Sequence, residues 1–397
     1  MKIVYVAPFG LGEKTTVWAR TLPLAAALVA AGHEATIVVP PWDTPEDSDT
    51  RMERQGVSII QVDISGGLPR IWRRMTRAVH ALDADIVHIV KPRAYAGLVQ
   101  WQLWQRRKLP GGNGPAIVLD VDDWEQAWAS INDYPAHVAR FLAWQEEWGI
   151  RHADAITAAS RWLVERANSY TPDTPVLYLP NGVTLPDGKA AIPSADAASL
   201  DTQILYFSRF VEVEPRWLAA FWQALRALKP NSHLTVAGNA LQPGREALFR
   251  ASMDELPELA SSVSWPGHLS RDEIDRLYAQ SDCAIFPARE EPLQQAKCSV
   301  RLATTLLHGV PVVASAVGEQ ASYGANGAAR LIEPGTTPAA YAQAVHEVLQ
   351  DGEERSRLAE RAQQHLLANY NWPGLGQRLT DFYADVLAMR GAVSITH

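Results

Sequence analysis

Short apolar runs alternate with longer helical patterns along nearly the whole chain, and this alternation constrains the fold more than any other feature. Runs such as KIVYVA at 2–7 and DIVHIV at 85–90 are almost continuously apolar, as expected for parallel strands covered on both faces. Alternating β and α segments predict a doubly wound sheet. In the first half the predicted strands are 2–7, 35–39, 57–62, 85–90, 116–121, 155–159 and 176–180, and the predicted helices are 15–31, 68–81, 94–108 and 136–152.

The alternation stops once and then resumes. Residues 186–201 are rich in Pro, Ala, Ser and Asp without any period, which predicts an interdomain linker. We therefore predict two Rossmann-like α/β domains facing a central cleft, over 1–188 and 200–373, with a last helix at 374–390 that returns to the first domain. Strands of the second series are predicted at 203–207, 233–238, 262–267, 283–288, 311–316 and 329–335, and closing helices at 338–349, 353–370 and 374–390.

Composition excludes several classes of protein. The 397 residues are 47% hydrophobic and 20% charged, which is a globular composition rather than a disordered one. A net charge of −8 argues against a nucleic-acid binder. The two cysteines cannot form a disulfide framework or a zinc cluster, so we expect a cytoplasmic protein. No uncharged apolar stretch is long enough to cross a membrane.

Polar residues follow the predicted strands of the first half where ligands bind in open α/β sheets. The first turn, APFGLGEKTT, carries Gly10 and Gly12, which let a backbone approach an anion at a helix N-terminus, or simply form a βα turn. DIVHIVKPRAY and VLDVDDWEQAW place further candidates at two strand ends. We predict that His88 and Asp122 are catalytic and that Lys91, Arg93, Asp123 and Trp124 bind the acceptor. The alternatives are that His88 is a packed core residue and that Asp122 and Asp123 cap the next helix.

The strongest stretch of the second half reads as strand, loop, helix and strand at 287–320. Lys297 and Ser299 fall where the helix begins and Arg301 follows one turn later, so the helix start can cradle a diphosphate, or is an ordinary capped helix. Arg209 follows the first strand of this half, where it can pair with a phosphate or with a neighbouring glutamate.

These motifs in this order resemble the GT-B glycosyltransferases of the retaining family-four type. The resemblance covers nearly the whole chain, and it is carried by the order and spacing of the motifs together. They are GHEATIVV (32–39), ADIVHIVKP (84–92), ADAITAAS (153–160), LPNGV (179–183), SWPGHLSRDEIDRLYAQSDCAIFPA (264–288), HGVPVVASAVGE (308–319) and YNWPGLGQRLTDFYADVL (370–387).

The resemblance implies transfer of a sugar from a nucleotide diphosphate sugar, with retention and without a bound metal or other cofactor. The acceptor would be a glycan, a lipid-linked sugar or a small molecule. It implies donor binding by Gly10, Gly12, Arg209, Gly238, His268, Leu269, Lys297, Cys298, Ser299, Arg301, Thr304 and Glu319.

The chain departs from this family at three places. The two glutamates that the family separates by seven residues are here Ala296 and Thr304, and Glu290 or Glu291 stands upstream; we predict Glu291 as a catalytic residue. The usual lysine after Arg209 is Glu214. The histidine expected after the strand at 116–121 is replaced by Asp122.

Other interpretations remain open. Asp120 and Asp122 imitate the metal-binding motif of a GT-A glycosyltransferase. A sugar-nucleotide epimerase and a non-catalytic carbohydrate- or nucleotide-binding protein are further alternatives. The basic, tryptophan-bearing helices 70–82 and 99–108 can lie on an anionic membrane surface, or are ordinary solvated helices.

Overall fold

The computed structural model describes residues 1–12, 16–109, 114–184 and 201–395. The predicted linker at 186–201 lies outside the described residues except for Asp201. The chain divides into two compact units. The first unit contains Met1–Gly182, residues 296–298 and the last helix; the second unit contains Val183–Gln295 and Ser299–Tyr370, as far as they are described.

The first unit is built on a sheet of eight strands within the described residues. Their order is β3-β4-β2-β1-β5-β6-β7-β8, and every pairing is parallel except that of β3 with β4. The edge strand β3 was not predicted, and its sequence TRMER is exposed and charged, which protects a sheet edge. The strands are β1 (Lys2–Val6), β2 (Glu34–Val39), β3 (Thr50–Arg54), β4 (Val57–Gln61), β5 (Ile86–Val90), β6 (Ala116–Val121), β7 (Ala155–Ala158) and β8 (Val176–Tyr178).

Helices cover both faces of this sheet, which is why β5 and β6 are buried along their whole length. The predicted helix at 15–31 is in fact a π-helical turn, Val17–Thr21, followed by α1 (Leu22–Ala30). The other helices are α2 (Leu68–Ala81), α3 (Ala94–Arg107), α4 (Glu125–Ile131), α5 (Ala136–Arg151) and α6 (Arg161–Tyr170), with a 3₁₀ turn at Pro45–Asp47.

The second unit has a parallel sheet of six strands, in the order β11-β10-β9-β12-β13-β14. The strands are β9 (Thr202–Phe207), β10 (Ser232–Ala237), β11 (Val263–Gly267), β12 (Cys283–Phe286), β13 (Val312–Ser315) and β14 (Arg330–Ile332). The helices are α7 (Pro215–Leu228), α8 (Arg245–Asp254), α9 (Pro257–Ala260), α10 (Arg271–Gln280), α11 (Pro292–Ala296), α12 (Val300–Leu307), α13 (Glu319–Tyr323), α14 (Pro338–Gln350) and α15 (Gly352–Asn369), with a 3₁₀ turn at Ala325–Gly327.

The final helix, α16 (Trp372–Ile395), belongs to the first unit. Leu375, Leu379 and Tyr383 lie in the same apolar core as β1 and α1. Gly376 allows close contact with α1, because a Cβ at this position would stand 2.5 Å from the Cβ of Ala27. The two Rossmann-like α/β domains and the returning helix are therefore confirmed. Among the described residues, no helix combines the length and apolar character that a membrane crossing requires.

Candidate functional site

In the first unit, the predicted acceptor residues meet at the carboxyl ends of β5 and β6. The ammonium group of Lys91 lies 2.9 Å from Asp122 Oδ1 and 3.0 Å from Glu125 Oε1. The guanidinium of Arg93 contacts the other oxygen of Glu125, at 2.6 Å. Neighbouring parallel strands end at one edge of a sheet, so residues 30 positions apart in sequence come together. We call Lys91, Arg93, Asp122, Asp123 and Glu125 the acceptor-side cluster.

Burial sets the electrostatics of this cluster. It raises the pKa of Asp122 to about 6 despite the opposing effect of Lys91, and it also raises the pKa of Asp123. Glu125 behaves differently, because its two cationic partners outweigh burial and lower its pKa. Glu125 is therefore ionised at neutral pH and holds Lys91 and Arg93 in place.

Sequence reasoning missed two glutamates here. Glu125 directly follows Trp124 and resembles an ordinary acidic residue in the first turn of a helix. Glu146, on α5, is fully buried, and burial raises its pKa to about 7 although Arg166 lies 3.7 Å away. The sequence signal that could have identified Glu146 is its position on the inner face of the predicted helix 136–152. The Trp124 ring packs 5.1 Å from Trp162 and lies under the guanidinium of Arg166.

His88 lies in the middle of β5 and is buried. Its Nε2 is 3.2 Å from the hydroxyl of Thr157, which itself donates to Asp120 at 2.6 Å. Because that hydroxyl has one proton, Nε2 is the donor, and Nδ1 accepts from Tyr383. Burial lowers the pKa of His88 to about 4, so the ring is neutral. The network gives His88 a structural role, and its part in catalysis stays a prediction.

Asp120 is also part of this buried network. Arg20, from the π-helical turn, donates to both of its carboxylate oxygens at 2.7 Å. Asp122, two residues later, faces Lys91 instead. The two aspartates thus pair with different cations. A second Rossmann-like unit follows the one that contains them, which argues against the GT-A alternative.

Gly10 and Gly12 form a tight turn after β1. A Cβ at Gly10 would stand 2.8 Å from the Cα of Pro41, and one at Gly12 would meet the carboxylate of Asp43. This close approach to the loop after β2 explains both glycines, and their predicted contact with a donor is an additional role that stays a prediction.

In the second unit, Arg209 follows β9, and Arg301 from the first turn of α12 contacts the same strand end. Arg301 donates to the carbonyl of Ser208 at 3.2 Å, and burial together with the neighbouring Arg209 lowers its pKa to about 10. Gly238 directly follows β10 with a φ of +117°, and a Cβ there would clash with the carbonyl oxygen of Ser208 and stand 3.3 Å from the guanidinium of Arg301. Glu212 organises the loop by accepting from the backbone N–H of Arg209 at 3.1 Å. The structure thus brings the predicted residues Arg209, Gly238 and Arg301 together.

Two further predicted donor groups belong to the second unit. His268 and Leu269 follow β11, and Gly238 donates to the carbonyl of Gly267 beside them, so they share one sheet edge with the arginines. Ser299 caps α12 by accepting from Leu302, which agrees with the alternative of an ordinary capped helix, and Thr304 donates to the carbonyl of Val300 within that helix. Their binding of a donor stays a prediction.

The remaining predicted residues are dispersed. Lys297 and Cys298 are grouped with the first unit, where Lys297 Nζ lies 5.7 Å from the ring centroid of Trp128 and Cys298 accepts from Asn181. Glu319 begins α13 and is buried. Glu291 is half-buried and pairs with Arg289 at 3.2 Å. Their roles in binding or catalysis stay predictions.

The departure at Glu214 has a structural counterpart. Its carboxylate contacts Arg245 at 2.9 Å and Arg289 at 2.7 Å. This ion pair borders a cavity of about 460 Å³ in the second unit. The cavity is lined by Val213, Glu214, Trp217, Pro287, Ala288, Arg289, Glu290, Ser315, Pro334, Gly335, Thr336, Thr337, Pro338 and Tyr341.

Two families match the chain in sequence. Residues 15–182 match a glycosyl transferase 4-like domain, and residues 201–351 match glycosyl transferases group 1. The chain is 28% identical over 118 residues to D-inositol 3-phosphate glycosyltransferase from Corynebacterium urealyticum, which covers 30% of this chain and 26% of that protein. It is 26% identical over 167 residues to glycogen synthase from Mycobacterium tuberculosis, over 42% and 38% of the two chains. These matches span well under half of each curated relative.

Solved structures share the fold over nearly the full length. Sucrose-phosphate synthase from Thermosynechococcus elongatus has a TM-score of 0.74 at 18% identity, over 98% of this chain and 100% of that one. Anabaena HepE in complex with UDP-glucose has a TM-score of 0.64 at 14% identity, over 97% and 100%.

Proposed function

Because the chain belongs to the GT-B glycosyltransferases of the 4-like and group 1 type, we propose that it moves a sugar from a nucleotide diphosphate sugar to an acceptor hydroxyl, with retention and without a metal. The observation that carries the donor assignment is the adjacent pair Arg209 and Arg301. Two guanidinium-bearing residues at one strand end favour binding of an anion there, because Arg301 contacts the carbonyl of Ser208, the residue before Arg209.

The proposed chemistry uses this charge during bond cleavage. The acceptor oxygen bonds to the anomeric carbon, and its hydroxyl proton passes to the carboxylate of Asp122. The bond between the anomeric carbon and the diphosphate oxygen breaks, and its electron pair leaves with the diphosphate, which gains negative charge. Preorganised cations stabilise this charge most in the transition state. Arg209 and Arg301 serve as those cations in our proposal, and the UDP-glucose bound by Anabaena HepE supports a nucleotide sugar as donor.

The acceptor hydroxyl is assigned to the first unit. Asp122 and Asp123 follow β6 at the edge where ligands of parallel sheets bind, and their oxygens can accept hydrogen bonds from a hydroxyl. We propose that they orient the attacking oxygen.

The test is release of nucleoside diphosphate from a panel of nucleotide sugars, with and without excess EDTA. A transferase releases nucleoside diphosphate slowly without acceptor, and turnover survives EDTA. A binding protein releases none, and an epimerase changes the sugar without releasing it. Loss of activity on chelation, restored by manganese, contradicts metal independence. The anomeric configuration of the product, read by NMR, tests retention.

We also propose contact with an anionic membrane surface through α2 and α3. The described helices α2 and α3 pack side by side and contain no Asp or Glu. Arg70, Arg73, Arg77 and Lys108 are exposed around them. Basic helices with this composition are attracted to anionic lipid.

A further inference from the structure

The cations of the acceptor-side cluster are already neutralised. Lys91 has two carboxylates within 3.0 Å, and Arg93 has one at 2.6 Å. The cluster has two positive groups against the three negative groups Asp122, Asp123 and Glu125. Counting Lys297, near Trp128, makes the charges equal. The site therefore has no excess positive charge.

Glu125 is the residue that brings this about. Its side chain is 2% exposed, and its two oxygens are divided between Lys91 and Arg93. Because these groups are shielded from water, their charges act at close range with little screening by salt. A phosphate placed here would have to displace Glu125 from both cations.

Two neighbouring arginines are engaged elsewhere. Arg20 is bound to both oxygens of Asp120, and Arg166 packs over the rings of Trp124 and Trp162 rather than against a carboxylate of the cluster. The groups that can accept new hydrogen bonds are the carboxylates of Asp122 and Asp123, the latter half-buried at the end of β6. Such oxygens bind hydroxyl donors and repel phosphate.

We infer that Glu125 sets acceptor preference: by neutralising Lys91 and Arg93, it restricts this site to an uncharged, hydroxyl-bearing sugar or polyol and excludes a phosphate-bearing one. This inference rests on the proposed function, because it concerns the acceptor of that reaction. Glu125 is a positioning residue, since it acts through Lys91 and Arg93.

The first experiment compares matched acceptors that differ by one phosphate, beginning with glucose and glucose 6-phosphate. The readout is the ratio of their kcat/KM values, which does not depend on the fraction of folded enzyme. We expect the parent to prefer the unphosphorylated member by at least about tenfold, and Glu125→Gln to reduce this preference by about tenfold. Asp123→Asn, which removes a less buried charge, changes the ratio in the same direction. Glu147→Gln, an exposed glutamate paired with Arg151, leaves it unchanged.

The second experiment needs no turnover. Inorganic phosphate is titrated in a thermal-shift assay in an Arg209→Ala, Arg301→Ala background, which removes the anion site proposed in the second unit. We expect phosphate to raise the melting temperature of the Glu125→Gln variant more than that of the Glu147→Gln control. The background protein without either change should respond to phosphate no more than this control does.

The outcomes separate the two proposals. The acceptor inference is overturned by a parent that prefers glucose 6-phosphate. It is also overturned if phosphate stabilises the background protein, in which Glu125 is intact, and Lys91→Ala abolishes that stabilisation. Failure to release nucleoside diphosphate from any nucleotide sugar contradicts the proposed function instead, and the phosphate titration still decides the charge state of the cluster.

Discussion

Arg20 and Asp120 form a bidentate ion pair inside the first unit, with both N–H···O distances at 2.7 Å and both side chains almost fully buried. Arg20 also donates to the carbonyl of Leu179 at 2.9 Å and to Asn181 at 3.2 Å. The pair thus joins the π-helical turn before α1, the end of β6 and the segment after β8. Removing the counter-ion of such a buried cation strongly lowers the stability of the fold, because the remaining charge is uncompensated and shielded from water.

Asp120→Asn should therefore destabilise the protein by about 3–5 kcal/mol, because Arg20 keeps its charge in a buried position. Urea denaturation measures this. Glu147→Gln, which breaks an exposed pair with Arg151, should cost under about 1 kcal/mol. If the Asp120 variant is as stable as the control, the pair does not hold the first unit together.

His88→Asn should lower the free energy of unfolding at pH 7. It should leave the pH dependence of turnover, counted per folded molecule, unchanged. The pKa of His88 is lowered to about 4 by burial, below the ordinary 6.5, so the unfolded chain binds more protons between these values. The neutral ring makes its full contribution to the free energy of unfolding above pH 6.5. This contribution, on the order of 3 kcal/mol, is lost as the pH falls towards 4.

The measurement is the free energy of unfolding of parent and variant at pH 7, 5.5 and 4. The difference between them should narrow as the pH falls. A variant that folds normally but changes the pH profile of kcat would instead assign His88 to the reaction.

Glu146→Gln should stabilise the protein at alkaline pH. Burial raises the pKa of Glu146 from 4.5 to about 7, so the folded state favours the protonated form. Stability therefore falls as the pH rises from 4.5 to 7, and above 7 the cost is on the order of 3 kcal/mol. Melting temperatures should match at pH 4.5, and the variant should be higher at pH 8. Glutamine retains an oxygen for the backbone N–H of Gln126. Parallel pH profiles would contradict a buried, protonated Glu146.

Arg209→Ala and Arg301→Ala should each weaken binding of the nucleoside diphosphate and lower kcat by roughly 10²–10³, because each removes a cation from the leaving group. Calorimetry and steady-state kinetics measure the two effects. Arg250→Ala is the matched control, since Arg250 is an exposed arginine of the same unit paired with Glu246. Unchanged diphosphate affinity in both variants would place the donor site elsewhere.

Replacing Arg70, Arg73 and Arg77 together by glutamine should reduce binding to vesicles that contain anionic lipid, since each basic residue near such a surface contributes about 1 kcal/mol. Flotation with anionic and with neutral vesicles is the measurement. The control variant replaces Arg250, Arg330 and Arg357 of the second unit by glutamine, so the two triple variants have the same net charge. Equal loss in both triple variants would indicate a general effect of charge, and no loss in either would contradict contact through α2.

The fold was predictable because its strands carry a strong local signal. Runs such as 85–90 and 116–121 are almost continuously apolar, as is typical of parallel strands covered on both faces. The edge strand Thr50–Arg54 escaped prediction because its sequence is polar and it pairs only with β4.

The candidate site was predictable where it depends on strand ends. Lys91 and Asp122 follow adjacent strands, so topology alone brings them together. Partners from distant segments could not be foreseen: the ring of His88 meets Tyr383, 295 residues later in the chain. Lys297 was expected in the second domain, as Arg209 was, yet its contacts group it with the first unit. This depends on the path of the loop before α12, which the sequence does not reveal.

The position of α16 has a consequence for biosynthesis. Leu375, Leu379, Tyr383 and Val386 complete the apolar core around β1 and α1, although the whole second unit precedes them in the chain. The described strands of the second unit leave the ribosome before them, and domains generally fold as units during synthesis. The first unit is therefore completed only after the second has been synthesised, and until α16 emerges its uncovered face beside α1 is what a chaperone would meet.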